Sequence, residues 1–170
     1  MMDSNQLKNI QAPLKDKYRN DPASAIITLK AQGVVAEGIS CKIETGRSLI
    51  EAGLHPATGG NGTLACSGDL LLEALVACAG VTLSAVATAI GLKIISGNVR
   101  AEGDLDFKGT LGVSKEVPVG FKAIRLFFDI ESEASSEEIG KLAKLTERYC
   151  VVYQTLRNAI EVQTVFNNRN

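Results

Sequence analysis

The chain has 170 residues, with 18 basic and 19 acidic side chains and four cysteines. This length predicts one domain of ordinary size, and the balanced charge gives no indication of a nucleic-acid partner. The polar start, MMDSNQLKNI, lacks the apolar segment of a signal peptide. We therefore expect a cytoplasmic location, where thiols stay reduced and cysteines do not indicate a disulfide framework.

The first predicted element is an N-terminal helical arm, residues 1–23. Its apolar side chains recur at near-helical spacing, and they are Leu7, Ile10, Leu14 and Tyr18. Pro13 lies within this pattern and is expected to interrupt the helix. The remaining residues, 24–170, show no linker or composition change and are expected to form a single α+β domain.

Three segments after the arm have strand patterns. They are AIITLKA (25–31), GISCKIET (38–45), which alternates apolar and polar residues, and RSLIEAG (47–53). The second and third are expected to pair across the turn between them. A glycine-rich segment, HPATGGNGTLACSGD (55–69), follows and is predicted to be a loop.

A long apolar helix is predicted from Ser67, its expected N-cap, with Asp69 in the first turn. Between Glu73 and Lys93 lie nineteen uncharged residues, enough to cross a bilayer. Eleven of them are Ala, Gly, Ser or Thr, which lowers the hydropathy, and no second apolar segment follows. We therefore expect no membrane association, but a central helix that is buried on every face.

Two long strands are predicted next, residues 93–107 and 119–131, with a turn-rich connection. A second, amphipathic helix begins at Ser135, which has capping-box spacing to Glu138. Its apolar stripe continues to Ile160, and VQTVF at 162–166 is expected to be a closing strand.

The predicted fold class is therefore α+β, with antiparallel sheets wrapped around the long central helix and the second helix packed on it. The chemistry-bearing residues are few. The chain has one histidine, His55, and no Cys-x-x-Cys spacing, so we expect neither a metal site nor a cofactor.

The thiols are the remaining candidates for chemistry. Cys78 lies on the central helix one turn before Thr82, and Cys150 lies on the second helix on the side of Tyr153. Free cysteine is commonly a buried space-filling residue. From the residues alone, Cys78 and Cys150 are therefore either a functional pair or two core side chains.

Two segments, SGDLLLEALVACAGVTL and ERYCVVYQTL, together with the order of elements over residues 24–166, resemble the OsmC/Ohr family of thiol-dependent hydroperoxide reductases. The resemblance implies an intertwined homodimer with sites at the subunit interface. It implies that Cys78 is the peroxidatic thiol, oxidised by an organic hydroperoxide, and that Cys150 resolves it into an intrachain disulfide. A dithiol such as a dihydrolipoyl group is the implied reductant.

The positions that match the family's activating residues differ from the family pattern. Members carry an arginine on an early strand and a glutamate ten residues before the first cysteine, and here these positions fall near Ala31 and on Gly68. The candidate supporting residues are Asp69, Lys30, Thr82 and Tyr153. An alternative stays open because no matching cation is present: a non-catalytic OsmC-like module that binds a small apolar ligand or senses redox state.

Overall fold

In the computed structural model, which describes residues 3–26, 28, 33–36, 40–44 and 49–168, the first element is the N-terminal helix α1, Ser4–Asn20. Asp3 caps it: its carboxylate accepts the N–H of Gln6 at 2.8 Å, and the Gln6 side chain accepts the N–H of Asp3 at 2.9 Å. The expected interruption at Pro13 is wrong, because α1 runs through this residue. Proline removes a single backbone donor, and here the turns on either side remain helical.

The first sheet contains four strands in the order of the chain: β1 (Gly33–Ala36), β2 (Ser40–Glu44), β3 (Leu49–Gly53) and β4 (Ala65–Cys66). The expected antiparallel pairing of β2 with β3 is confirmed. The strand expected over 25–31 falls largely outside the described residues.

The last strand of this sheet corrects the expectation of purely antiparallel sheets, because β4 pairs with β3 in parallel. Parallel neighbours need a crossover connection of some length. The glycine-rich segment supplies it, with a short 3₁₀ turn at Pro56–Thr58. The end of the glycine-rich segment places Cys66 directly before the long helix.

The long helix α2 spans Ser67–Ile90, with Asp69 in its first turn as expected. Its N-cap is Cys66 rather than the predicted Ser67. The helix ends at Gly91, whose φ of 73° lies in the left-handed region that glycine adopts without strain. This stop positions the next strand to return along α2.

One chain covers only one face of α2. The buried face follows helical spacing and consists of Leu75, Ala79, Leu83, Val86 and Ala87. This region of α2 contacts the strand that follows it and both helices of the C-terminal region, all described below. Val81, on another face, is 72 % exposed, so burial on every face is not achieved within one chain. By length and composition α2 would also suit a membrane span, a test that core helices of soluble proteins pass as well.

A long hairpin packs along the covered face of α2. It consists of β5 (Ile94–Leu105) and β6 (Phe121–Ser132), paired antiparallel, which confirms the two predicted strands. The connection, expected to be a loop, contains a single helical turn, α3 (Phe107–Thr110). The chain therefore has the mixed α+β architecture that the sequence predicts.

The C-terminal helix begins as predicted and ends early. α4 spans Ser136–Tyr149, and Ser135 and Glu138 form the predicted capping box. The helix does not continue to Ile160: Cys150 has extended backbone angles (φ −74°, ψ 107°), and a separate short helix α5 spans Val151–Arg157. The apolar spacing in the sequence continues across Cys150, so periodicity does not reveal the break, but Tyr149, Leu156 and Ile160 of the expected stripe are exposed.

The predicted closing strand at 162–166 is also wrong, because residues 158–168 have no regular structure. A strand needs a neighbour to accept its backbone hydrogen bonds. Within the described part of the chain, no strand pairs with this segment. Its apolar side chains, Val162, Val165 and Phe166, are strongly exposed.

The core between α2 and α4 gives a test of the fold. Leu142 on α4 is 1 % exposed and packs with Leu83, Val86 and Ala87. We expect Leu142→Ala to lower the free energy of unfolding by about 2–5 kcal/mol, since it removes buried methyl groups and leaves a cavity. Urea unfolding at fixed protein concentration measures this.

Leu111→Ala is the matched control, because Leu111 is 55 % exposed. We expect it to change the free energy of unfolding by no more than about 0.5 kcal/mol. Equal losses in the two variants would contradict the assignment of the core.

Candidate active site

Cys78 lies at the edge of the covered face of α2. It follows the buried Leu75 by three residues and precedes Thr82 by one turn. Its side chain is half-buried. This position leaves one side of the sulfur accessible while the other faces the C-terminal helices.

Cys150 lies at the break between α4 and α5 and is 1 % exposed. Its N–H donates to the Thr146 carbonyl at 3.0 Å, and its own carbonyl accepts the N–H of Gln154 at 2.9 Å. The backbone hydrogen bonds therefore continue on both sides of the break. Because the ψ angle of Cys150 is extended, the first N–H groups of α5 point towards the thiols and do not continue the hydrogen-bond pattern of α4.

The structure brings Cys78 and Cys150 close together within one chain, near enough for each thiol to influence the pKa of the other. The N–H of Val152, the Cys150 thiol, the Thr82 hydroxyl and the N–H of Val151 all act on the Cys78 sulfur to lower its pKa. Both cysteines are free thiols. Two thiols this close, one of them accessible, are arranged for oxidation of the first and attack by the second.

The surroundings separate the acidities of the two thiols. Burial by itself raises the pKa of Cys78, but the donors outweigh it, and the net pKa lies below the ordinary thiol value. Burial raises the pKa of Cys150, and the hydrogen bond to Cys78 and its negative charge raise it further, against the N–H groups of Tyr153 and Val152. The thiolate is therefore favoured on Cys78 and the protonated thiol on Cys150.

Among the residues that the structure describes, no cationic side chain lowers the pKa of Cys78. Backbone N–H groups in the first turn of α5 are prominent among its donors. These groups have no partner inside their own helix and carry partial positive charge. These N–H groups therefore favour the thiolate form of Cys78. Sequence reasoning missed Val151 and Val152 because they act through their backbone, and only the break at Cys150 signals them.

The predicted supporting residues have different positions. The Thr82 hydroxyl lowers the pKa of Cys78, and the backbone N–H of Tyr153 acts to lower the pKa of Cys150. Asp69 is nine residues before Cys78, about 13 Å along the helix, and lines a separate cavity with His55 and Cys66. The structure therefore does not bring Asp69 to the thiol pair within one chain.

Two other side chains of interest, those of Lys30 and Cys41, lie outside the residues that the structure describes. Within the described part of the chain, no group of three or more His, Cys, Asp or Glu side chains is placed to hold a metal ion.

A largely apolar cavity of about 600 Å³ lies between α4, α5 and β6, and its described lining residues do not include Cys78 or Cys150. Leu75, one turn before Cys78, and Tyr153, three residues after Cys150, line it together with Phe128 and Leu156. Lys122, Glu147 and Arg157 also line it. The volume is in the range of ordinary small-molecule pockets.

A model of the family described as OsmC-like protein matches residues 60–165, which include α2, the β5–β6 hairpin, α4 and α5. No curated protein matches the chain. Solved structures share the fold. An OsmC-like protein from Mycoplasma pneumoniae is 22 % identical, with a TM-score of 0.64, over 77 % of this chain and 88 % of that one.

Two similar structures are organic hydroperoxide resistance proteins. The one from Elizabethkingia anophelis is 20 % identical, with a TM-score of 0.63, over 80 % of this chain and 92 % of that one. The one from Legionella pneumophila is 17 % identical, with a TM-score of 0.61, over 78 % of this chain and 90 % of that one.

The hydroxyl of Thr82 gives a test of the thiolate environment. Thr82→Val removes one donor to the Cys78 sulfur at nearly constant volume, so the thiolate loses stabilisation. We expect the iodoacetamide alkylation rate of Cys78 at neutral pH to fall about two- to tenfold, and its pH profile to move to higher pH. Peptide mass spectrometry follows Cys78 separately from the other thiols.

Thr88→Val is the control in the same helix, because the Thr88 hydroxyl donates to the Ser84 carbonyl and not to a thiol. It should leave the alkylation profile of Cys78 unchanged. If both variants shift the profile equally, the Thr82 contact does not stabilise the thiolate.

Proposed function

Because the chain belongs to the family of OsmC-like proteins, we propose that it is a cysteine-based peroxidase that reduces organic hydroperoxides, with Cys78 as the peroxidatic and Cys150 as the resolving thiol. The observation that carries the proposal is the proximity of these thiols, with the thiolate favoured on Cys78. The hydroperoxide-resistance proteins of the same fold support the substrate class.

The first step oxidises Cys78. Its thiolate attacks the terminal oxygen of the hydroperoxide, the O–O bond breaks, and a sulfenic acid forms on Cys78 while the alkoxide takes up a proton and leaves as the alcohol. The lowered pKa of Cys78 raises the fraction of the reactive thiolate at neutral pH.

The second step forms the disulfide. The Cys150 sulfur attacks the sulfenic sulfur of Cys78, the S–O bond breaks, and the hydroxyl leaves as water with the Cys150 proton. Cys150 lies close enough to Cys78 for the two thiols to influence each other's pKa, and the break between α4 and α5 is the place where closure would move the chain. Rapid closure protects the sulfenic acid from further oxidation.

The third step returns both thiols to the reduced state. Cys150 is 1 % exposed, so an external thiolate reaches the half-buried Cys78 sulfur first. A dithiol such as a dihydrolipoyl group attacks there, and its second thiol then closes to its own cyclic disulfide, releasing both cysteines. The cycle requires a reducing compartment, which favours the cytoplasm.

The 600 Å³ cavity supports organic rather than hydrogen peroxide substrates. Leu75, Phe128, Tyr153 and Leu156 form apolar parts of its wall, and Leu75 and Tyr153 lie three residues along the chain from Cys78 and Cys150. Contact between these apolar side chains and a hydrocarbon group is favourable because it removes apolar surface from water. A small polar peroxide gains little from the same contact.

We also propose that the functional unit is an intertwined homodimer. The accessible surface of the chain is 13169 Å² at 18.0 kDa, whereas a folded monomer of this mass has roughly 8,000 Å². The excess includes the exposed face of α2 and the apolar stripe of α1. A second copy that covers these surfaces removes the excess, and the pairing of identical patches is the common symmetric solution.

The chemistry is tested by oxidation of the reduced protein with one equivalent of cumene hydroperoxide. We expect an intrachain Cys78–Cys150 disulfide, identified by non-reducing peptide mapping, and its reversal by dihydrolipoamide. Cys78→Ser should abolish hydroperoxide consumption. Cys150→Ser should accumulate a Cys78 sulfenic acid that dimedone traps.

Cys66→Ser is the control, because Cys66 lines a cavity that does not include the thiol pair, and this variant should react as the wild type does. If Cys78 remains a thiol after exposure to the hydroperoxide, the peroxidase proposal fails. The 600 Å³ cavity then favours the alternative, a module that binds a small apolar ligand.

Assembly is tested by sedimentation at micromolar concentration, where we expect a dimer. Val81→Asp places a charge on the exposed face of α2 and should yield monomer or aggregate. Val113→Asp is the matched control, since Val113 is 71 % and Val81 72 % exposed, and it should remain dimeric. A folded wild-type monomer would overturn the proposal.

A further inference from the structure

The side chain of Gln154 bridges the break between α4 and α5. Its Nε2 donates to the Glu147 carbonyl at 2.8 Å. Glu147 lies three residues before Cys150, in the last turn of α4, and Gln154 lies four residues after it, in α5. This hydrogen bond therefore joins the two helices across Cys150.

The Glu147 carbonyl is the group that would hold Val151 if α4 continued. In an α-helix each carbonyl accepts the N–H four residues later, and the bond one position earlier, which the Cys150 N–H donates, is still made at 3.0 Å. The next bond of that series, from the Val151 N–H to the Glu147 carbonyl, is not among the hydrogen bonds of the described residues. The Val151 N–H acts instead on the Cys78 sulfur and lowers its pKa. The side chain of Gln154 thus takes the place that Val151 leaves.

Asn158 holds the Gln154 side chain in this orientation. Its Nδ2 donates to the Gln154 carbonyl at 2.9 Å and to Gln154 Oε1 at 3.1 Å. Oε1 accepts from Asn158, and because a carbonyl can only accept, the Nε2 side of the amide faces Glu147. The two amide side chains therefore form one hydrogen-bonded unit that runs from the end of α5 back to α4.

Capping of α4 alone does not account for this choice of carbonyl. The last carbonyls of any helix lack a partner within the helix, and exposed ones are commonly satisfied by water. The Glu147 carbonyl differs from the others because it and the Cys78 sulfur compete for the same donor, the N–H of Val151. Occupation of the carbonyl by Gln154 lowers the free energy that Val151 would gain by returning to the helical pattern.

We propose that Gln154 is a positioning residue for the thiol pair: its side-chain amide occupies the Glu147 carbonyl and so keeps the Val151 N–H directed at the Cys78 sulfur, while Asn158 orients the amide. The inference rests on the proposed function only where it concerns turnover, because the state of the Cys78 thiol is measured without a peroxide.

The readout is the pH profile of Cys78 alkylation by iodoacetamide in the reduced full-length protein, followed by peptide mass spectrometry. Gln154→Met keeps the length of the side chain and removes both of its hydrogen bonds. We expect alkylation at neutral pH to slow about two- to fivefold, with the profile moved to higher pH. Asn158→Ala should move the profile in the same direction by less. Thr155→Met, which places the same side chain at the neighbouring exposed position of α5, should leave the profile unchanged.

Val151→Pro separates positioning from a general effect on structure. Proline removes the Val151 N–H and is tolerated at the first position of a helix, and the extended ψ of Cys150 suits a following proline. We expect this variant to slow alkylation of Cys78, and the double variant with Gln154→Met to be no slower than Val151→Pro alone. The proposal is overturned if Gln154→Met leaves the profile unchanged, or if the two substitutions slow alkylation by factors that multiply. A protein that gives the expected profiles but does not consume cumene hydroperoxide would refute the peroxidase proposal and leave this one standing.

Discussion

The proximity of Cys78 and Cys150 is the constraint on which the arrangement of the C-terminal half depends. Cys78 is fixed by the packing of α2 against β5 and α4. Cys150 reaches it only because α4 ends at Tyr149 and the chain turns before α5 begins. A continuous helix through Cys150 would keep the N–H groups of Val151 and Val152 inside its own hydrogen-bond ladder. The break releases them to the Cys78 sulfur, so a local irregularity of the fold creates the electrostatic environment of the thiol.

Two opposing effects act on the thiols, and their balance decides which one carries the charge. Burial disfavours both thiolates. At Cys78 this is outweighed by donors aimed at one sulfur, whereas at Cys150 the nearby negative sulfur adds to the effect of burial. Directional donors are effective here because the site is partly shielded from water, where hydrogen bonds to a charged group gain strength. No cationic side chain among the described residues contributes to this asymmetry, which in the proposed peroxidase cycle would give the two thiols different roles in oxidation and resolution.

The sequence predicted the elements that local signals define. Helix α2, the strands β5 and β6, and the capping box at Ser135 were confirmed because apolar runs, alternation and cap spacing act over a few residues. The break at Cys150, the parallel strand β4 and the missing closing strand depend on contacts between distant segments. The site divides in the same way. Cysteine identity and helix phase indicated Cys78 and Thr82, but Asp69 lies along the helix from the thiols, and the backbone donors have no sequence signal.

The position of Cys78 on α2 links its reactivity to whatever covers the rest of that helix. At 100° per residue, Cys78 lies between the buried row that contains Leu75 and Ala79 and the exposed side of Val81. One chain therefore supplies the donors and the resolving thiol on one side of the sulfur and leaves the other side open. A second copy that covers Val81, as proposed, would form the remaining wall beside Cys78. The subunit interface would then control the access of a hydroperoxide and of the dithiol to this sulfur. The excess of exposed apolar surface and the partial exposure of the thiol would both follow from one cause, a face of α2 that one chain leaves uncovered.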